Sequence, residues 1–283
     1  MERKILTRVV TLTVAAAFLF GAAVTVTAKG MQEVSTYSLQ VLHSSDNESS
    51  FQNPNTLEPK ILHYGTVMEG LREIAPNEGR NTIYVTAGDH TLPKPFYHAA
   101  AEVDELGAPG LGDIAMFNAM GLSANGFGNH VFDGGINDFA RMLDKANYPF
   151  LAVNLDFSDV ELAEGAPEIE IGKDGASVKE NAGKVARSSY VEVGGERIGL
   201  IGRAPADFFN VINDPAETIP GLDFYGGRDS ETNQPKVSAV QQVMEQVRLP
   251  TDAFRRLPAC TWSTMPASRA LWARPASANR VGW

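Results

Sequence analysis

Thiol and imidazole are the scarce chemistries in this sequence. A single cysteine, Cys260, stands among 283 residues, so no disulfide can close within the chain and no thiolate zinc site can be assembled. Only five histidines occur, at His43, His63, His90, His98 and His130, so nothing after His130 can supply an imidazole. Basic residues are outnumbered, with 24 Lys plus Arg against 34 Asp plus Glu and a formal net charge of -10. That deficit argues against sequence-independent nucleic-acid binding, which needs cationic surface to displace counterions, so no nucleic-acid partner is expected. An acidic surplus suits a protein that collects divalent cations. Beyond the amino terminus no run is apolar enough to span a bilayer.

The amino terminus itself is the exception. Arg3, Lys4 and Arg8 precede an apolar run from Val9 to Val26, and Val26-Thr27-Ala28 provides a small-residue cleavage site. This is the form of a signal peptide removed after Ala28, leaving a periplasmic or secreted protein with no stable membrane span. The alternative is an uncleaved anchor, because the run lies near the lower limit of roughly 17 to 25 residues for a span.

From Tyr37 the chain falls into a βα rhythm. The run from Tyr37 to His43 reads as a buried strand ending in the polar loop Ser44-Ser45-Asp46-Asn47-Glu48. Apolar residues from Pro59 to Ile74 recur at helical spacing, and Asn81 to Ala87 reads as a second strand running into Gly88-Asp89-His90. A short helix from Gly112 to Met120 and a strand from Leu122 to Phe127 lead to the turn Gly128 to Gly135; a helix over 136–146 and a strand over 150–154 follow. Alternation of this kind predicts a layered α/β sandwich with ligands gathered outside the strands' carboxyl ends. The segment from Phe157 to Ser188, rich in Glu, Gly, Ala and Lys, reads as an exposed excursion. A hairpin is expected about Gly194-Gly195 and an amphipathic helix over 237–247. After Thr251 the character shifts: five arginines and all three tryptophans appear and no acid follows Asp252. We read residues 251–283 as an out-of-frame tail, with a natural basic tail as the alternative.

Three strand ends therefore deliver Asp46 and Glu48, Asp89, and Asn129 with His130 to neighbouring loops. Oxygen and imidazole donors of this kind suit divalent cations. Two ions sharing a carboxylate could activate water and hold phosphoryl oxygens, and Asp89 is the residue best placed to bridge them. Each acid alone reads equally as a helix or turn cap; the combination carries the metal reading. His43 and His90 flank the loops and are expected to be structural, and His63 and His98 surface or packing residues.

The strand-Asp-x-Glu, Gly-Asp and Gly126-to-Asp133 (GFGNHVFD) segments resemble the opening motifs of calcineurin-like metallophosphoesterases, in the branch of bacterial 5′-nucleotidases and 2′,3′-cyclic phosphodiesterases. The resemblance runs from about Ser38 to Pro205 and implies a metallophosphoesterase-type β-sandwich flanked by helices, over residues 29–250 and incomplete at the carboxyl end. It implies that Asp46 binds a first metal, Asp89 bridges, Asn129 binds the second and contacts substrate, and His130 is catalytic and substrate-binding with Asp133 orienting it. Glu48 stands where the family has the histidine of Asp-x-His; as a ligand it favours Mn, Mg or Ca over Zn, with Fe also open. The implied substrate is a small phosphate monoester such as a nucleotide. Impaired turnover is expected because later histidine ligands are missing. A non-catalytic metal- or phosphate-binding module and a phosphodiesterase are the competing readings.

Overall fold

Strict alternation in Asn81–Thr86 explains the layering of the whole molecule. In this strand, β2, Ile83 and Val85 face one side and Tyr84 the other, and all three are buried. The first strand, β1 (Leu39–Ser44), runs parallel to β2 in full register from Leu39 opposite Asn81 to Ser44 opposite Thr86. Ala124–Gly126 (β3), Phe150–Leu151 (β4) and Val185–Ala186 (β5) extend the sheet in chain order, every pair parallel. The computed structural model describes residues 36–53, 55–56, 58–205, 211–212 and 214–224, with short strands at Leu12–Thr13, Thr25–Val26 and Ala259–Ser263. The expected helix over 237–247 and the bulk of the signal segment and tail lie outside the described residues.

Helices cover one face. Lys60–Ile74 (α1) joins β1 to β2, Pro95–Ala99 (α2) and Leu111–Ala119 (α3) lie between β2 and β3, and Ile136–Lys145 (α4) joins β3 to β4. In α4 the residues Ile136, Phe139, Ala140 and Leu143 are buried at helical spacing, a stripe wide enough to dock against a sheet. Phe127, Phe132, Phe139, Phe150 and Phe157 meet edge-on, tilted or stacked between that helix and the sheet. Burying each such ring stabilises the fold by roughly 1.5 to 3 kcal/mol.

A second sheet covers the other face. Ser188–Val193 (β6) and Glu196–Arg203 (β7) form an antiparallel hairpin through Gly194 and Gly195. Ile198 and Leu200 from β7 pack on Ile83, Val85, Ala124 and Leu151 of the parallel sheet. Ala176–Ser177 pairs parallel with β6, and Ala259–Ser263 lies parallel to β7 from Gly199 to Arg203. The expected α/β sandwich is thus observed, with strand and helix limits within two or three residues of those read from the sequence.

One expectation is corrected. The segment 157–188 is not only an exposed excursion: Val185 and Ala186 are buried and complete the parallel sheet, while Asn181 is buried and bonds back to Lys173 and Ser189. Two apolar residues set among Gly, Lys and Asn give no period, so this strand exists because β4 offers it an open edge.

Candidate active site

The loops after β1, β2 and β3 lie side by side at the carboxyl end of the parallel sheet, where α/β sheets gather ligands. The first two are zipped together through backbone. Asp46, Glu48 and Ser49 donate their N–H groups to the carbonyls of Gly88, Asp89 and His90 at 3.3, 2.9 and 3.0 Å. The Ser49 hydroxyl then accepts the Leu92 N–H at 3.1 Å. This contact holds Asp46, Glu48, Ser49 and Asp89 at positive φ, between 47° and 55°, a region that non-glycine residues enter only under local constraint.

Glycine allows the second and third loops to touch. A Cβ on Gly88 would lie 2.2 Å from the Gly128 nitrogen, and a Cβ on Gly128 would lie 2.0 Å from Asp89 Oδ1. With neither present, the His130 N–H reaches Asp89 Oδ1 at 2.8 Å. The third loop is itself anchored from below. Phe127, Val131 and Phe132 are buried, while Asn129 and His130 between them are half-buried.

His130 Nδ1 lies 2.7 Å from Asp133 Oδ2. Burial disfavours its charge, but the Asp133 hydrogen bond and charge, with Asp89 and Glu48, outweigh that and raise the imidazole above its usual range. Asp89 moves upward too. Its burial dominates, the His130 amide and ring oppose it, and the charges of Asp46 and Glu48 add to it. Glu48 does not point at Asp89. Its Oε2 lies 2.8 Å from Lys94 Nζ, which also donates to Ser50 Oγ at 3.1 Å.

His90 follows Asp89 and is structural. Thr86 donates its hydroxyl to Asn125 Oδ1 at 2.7 Å, so His90 Nε2–H donates to Thr86 at 2.7 Å. The ring stacks on Phe117, and burial alone lowers its pKa to about 3. Two residues that sequence reasoning missed stand beside the site. Lys94 sits in a Pro-flanked loop with no spacing that links it to Glu48. Asp113 of α3 is fully buried with no hydrogen-bond partner on either oxygen, although the Ser49 hydroxyl approaches it, and its helical position looks like an ordinary first-turn acid.

No family model matches the chain. In sequence it is similar to protein 5NUC of Lutzomyia longipalpis, 23% identical over 192 residues that cover 64% of this chain and 29% of that protein. Protein UshA of Salmonella pullorum is 28% identical over 152 residues, covering 54% and 26%. The 5′-nucleotidase of Vibrio parahaemolyticus is 30% identical over 121 residues, covering 42% and 20%. The chain therefore spans less than a third of the length of these relatives. In structure it matches a 5′-nucleotidase precursor from Thermus thermophilus with a TM-score of 0.51 and 18% identity over 78% of this chain and 36% of that one. The calcineurin-like phosphoesterase YfkN from Bacillus subtilis matches with a TM-score of 0.50 and 16% identity, over 83% and 65%.

The chain has the fold seen in the 5′-nucleotidase precursor and in the calcineurin-like phosphoesterase, and over part of its length it is similar in sequence to 5′-nucleotidases. Among the described residues, no three His, Cys, Asp or Glu side chains gather into a metal cage. The carboxylates of Asp46 and Asp89 and the amide oxygen of Asn129 nevertheless have the donor chemistry of a hard divalent ion. Asp89 is buried, takes one side-chain hydrogen bond among the described residues, and feels two further carboxylates. A cation bound there would offset that concentration of negative charge. These three residues fit, and His130 beside them is tied to Asp133.

Proposed function

We propose that this domain hydrolyses small phosphate monoesters, nucleotides among them, with the help of a divalent cation held by Asp46, Asp89 and Asn129. The observation that carries the reading is the His130–Asp133 pair at 2.7 Å, set directly beside the buried Asp89 by the His130 amide. A bound ion of this kind neutralises phosphoryl oxygens and eases deprotonation of a water. A second ion sharing Asp89 would need donors from outside the described residues. Manganese, magnesium and calcium suit the oxygen donors better than zinc, with iron intermediate.

The chain's own residues supply the proton chemistry. Asp133 accepts the Nδ1 hydrogen and fixes the imidazole, which leaves Nε2–H free to face a bound substrate. Because the site favours charged His130, the ring is suited to hand that proton to the departing alkoxide oxygen. Asn129 on the adjacent position offers its amide to the same phosphate.

Phosphate release from AMP and from p-nitrophenyl phosphate in the presence of Mn²⁺ tests this. His130→Ala is expected to lower turnover by roughly 10² to 10⁴-fold, the usual range for losing a general acid. Manganese-dependent release that survives His130→Ala undiminished refutes the assignment. Export is a second part of the proposal, resting on Arg3, Lys4 and Arg8 before the apolar run and the small residues at 26–28. Among the described residues no helix is long and apolar enough to cross a membrane. Amino-terminal sequencing of protein recovered from an expressing bacterium should begin at Lys29; retention of Met1 contradicts cleavage.

A further inference from the structure

Glu48 and Lys94 form a contact that the phosphoesterase reading does not use. The Glu48 carboxylate occupies the first metal loop two residues beyond Asp46, on backbone held at positive φ and bonded to the Asp89 carbonyl. Its charge reaches both Asp89 and His130. Yet Oε2 bonds to Lys94 Nζ at 2.8 Å, and Asp46, Glu48 and Asp89 do not close into a three-acid cage. Lys94 is fixed for this: it precedes Pro95 at the start of α2, and its ammonium is shared with Ser50 Oγ at 3.1 Å. The ammonium therefore engages one oxygen of the Glu48 carboxylate, and it brings a positive charge to the loop that carries Asp46.

From this geometry we propose that Lys94 is a metal-specificity residue: it holds Glu48 out of the coordination shell and lowers the affinity of the site for divalent ions. The proposal rests on the ion site at Asp46, Asp89 and Asn129. The pair is about one-third exposed on both sides, with relative side-chain exposures of 35% and 31%. Exposed pairs are weak, on the order of 0 to 1 kcal/mol, so an ion with a real preference for a fourth oxygen donor can compete with it. The pair thus tunes binding and does not block it. A small, strongly hydrated ion that keeps its waters, such as Mg²⁺, has less to gain from Glu48 than Mn²⁺ has.

The test uses the full chain and calorimetric titration with Mn²⁺ or Mg²⁺ alone, without substrate. Lys94→Gln frees Glu48 and is expected to tighten Mn²⁺ binding about three- to tenfold, with a smaller gain for Mg²⁺. The charge-neutral double variant Glu48→Gln/Lys94→Gln is expected to bind Mn²⁺ within about threefold of the wild type. Circular dichroism confirms that both variants fold before they are titrated. If Lys94→Gln leaves affinity unchanged or weaker, or if the double variant loses tenfold or more, Glu48 is already a ligand or the pair is inert, and the proposal fails while the ion site stands. If neither wild type nor Lys94→Gln binds Mn²⁺, the ion site fails and takes the proposal with it.

Discussion

The two sheets handle positive φ in opposite ways. In the hairpin of β6 and β7 the reversal falls on Gly194 and Gly195, at φ of 60° and 80°, where no Cβ is strained. At the ends of β1 and β2 the same region of conformational space is filled by Asp46, Glu48, Ser49 and Asp89. Among the described residues only Asp214 otherwise shares it without being glycine. Glycine would fold these loops at lower cost, so the acids are there for what their side chains do. The hairpin sheet covers the core; the parallel sheet carries the candidate site and the positive-φ acids together.

Deleting a ring beneath the third loop should separate the two regions most sharply. Phe127→Ala removes a fully buried side chain packed on Phe132, Phe139 and Phe150 and is expected to cost about 3 to 5 kcal/mol. Urea denaturation measures it, and activity should fall with it because Asn129 and His130 lose their base. A change below 1 kcal/mol would mean that the loop is held some other way.

Asp46 tests the strain itself. Asp46→Ala and Asp46→Gly both remove the oxygen donor, yet the glycine variant should be more stable by about 1 to 2 kcal/mol, since only alanine retains a Cβ at φ 55°. Equal midpoints for the two variants would show that the loop relaxes.

Asp113 gives a pH signature behind the site. Burial pushes its carboxyl up to about 8, against roughly 3.9 in an unfolded chain. The folded state therefore keeps a proton that the unfolded state has released, and stability falls as pH rises from about 4 to about 8, by at most roughly 1.4 kcal/mol per pH unit. Asp113→Asn should flatten this decline between pH 5 and 8; an unchanged slope would place the carboxylate in contact with water. The smallest effect is expected in the hairpin sheet. Arg197→Ala loses its stacking on Tyr190 and a long ion pair to Glu192, should cost under about 1 kcal/mol, and should leave turnover unchanged.

Most of this organisation was legible in the sequence because it is periodic or local. A short β-branched and aromatic run ending at Gly88 placed β2, helical spacing placed α1, and Gly194-Gly195 marked the hairpin. The polar side chains at the three strand ends could be gathered from order alone, since parallel strands in sequence must present their loops along one edge. What could not be read depends on tertiary choice. Val185 and Ala186 are a strand only because β4 leaves an edge for them. Lys94 meets Glu48 across 46 positions of chain, and Asp113 is buried by the way α3 packs behind Ser49. No spacing rule encodes such meetings.

The proposed hydrolysis requires a cation held by Asp46, Asp89 and Asn129 beside His130. Electron paramagnetic resonance of free Mn²⁺ titrated into the full chain measures it without any substrate. Saturable uptake by the wild type that weakens at least tenfold in Asp89→Asn is the expected result; equal uptake by the two proteins, or none by either, contradicts it.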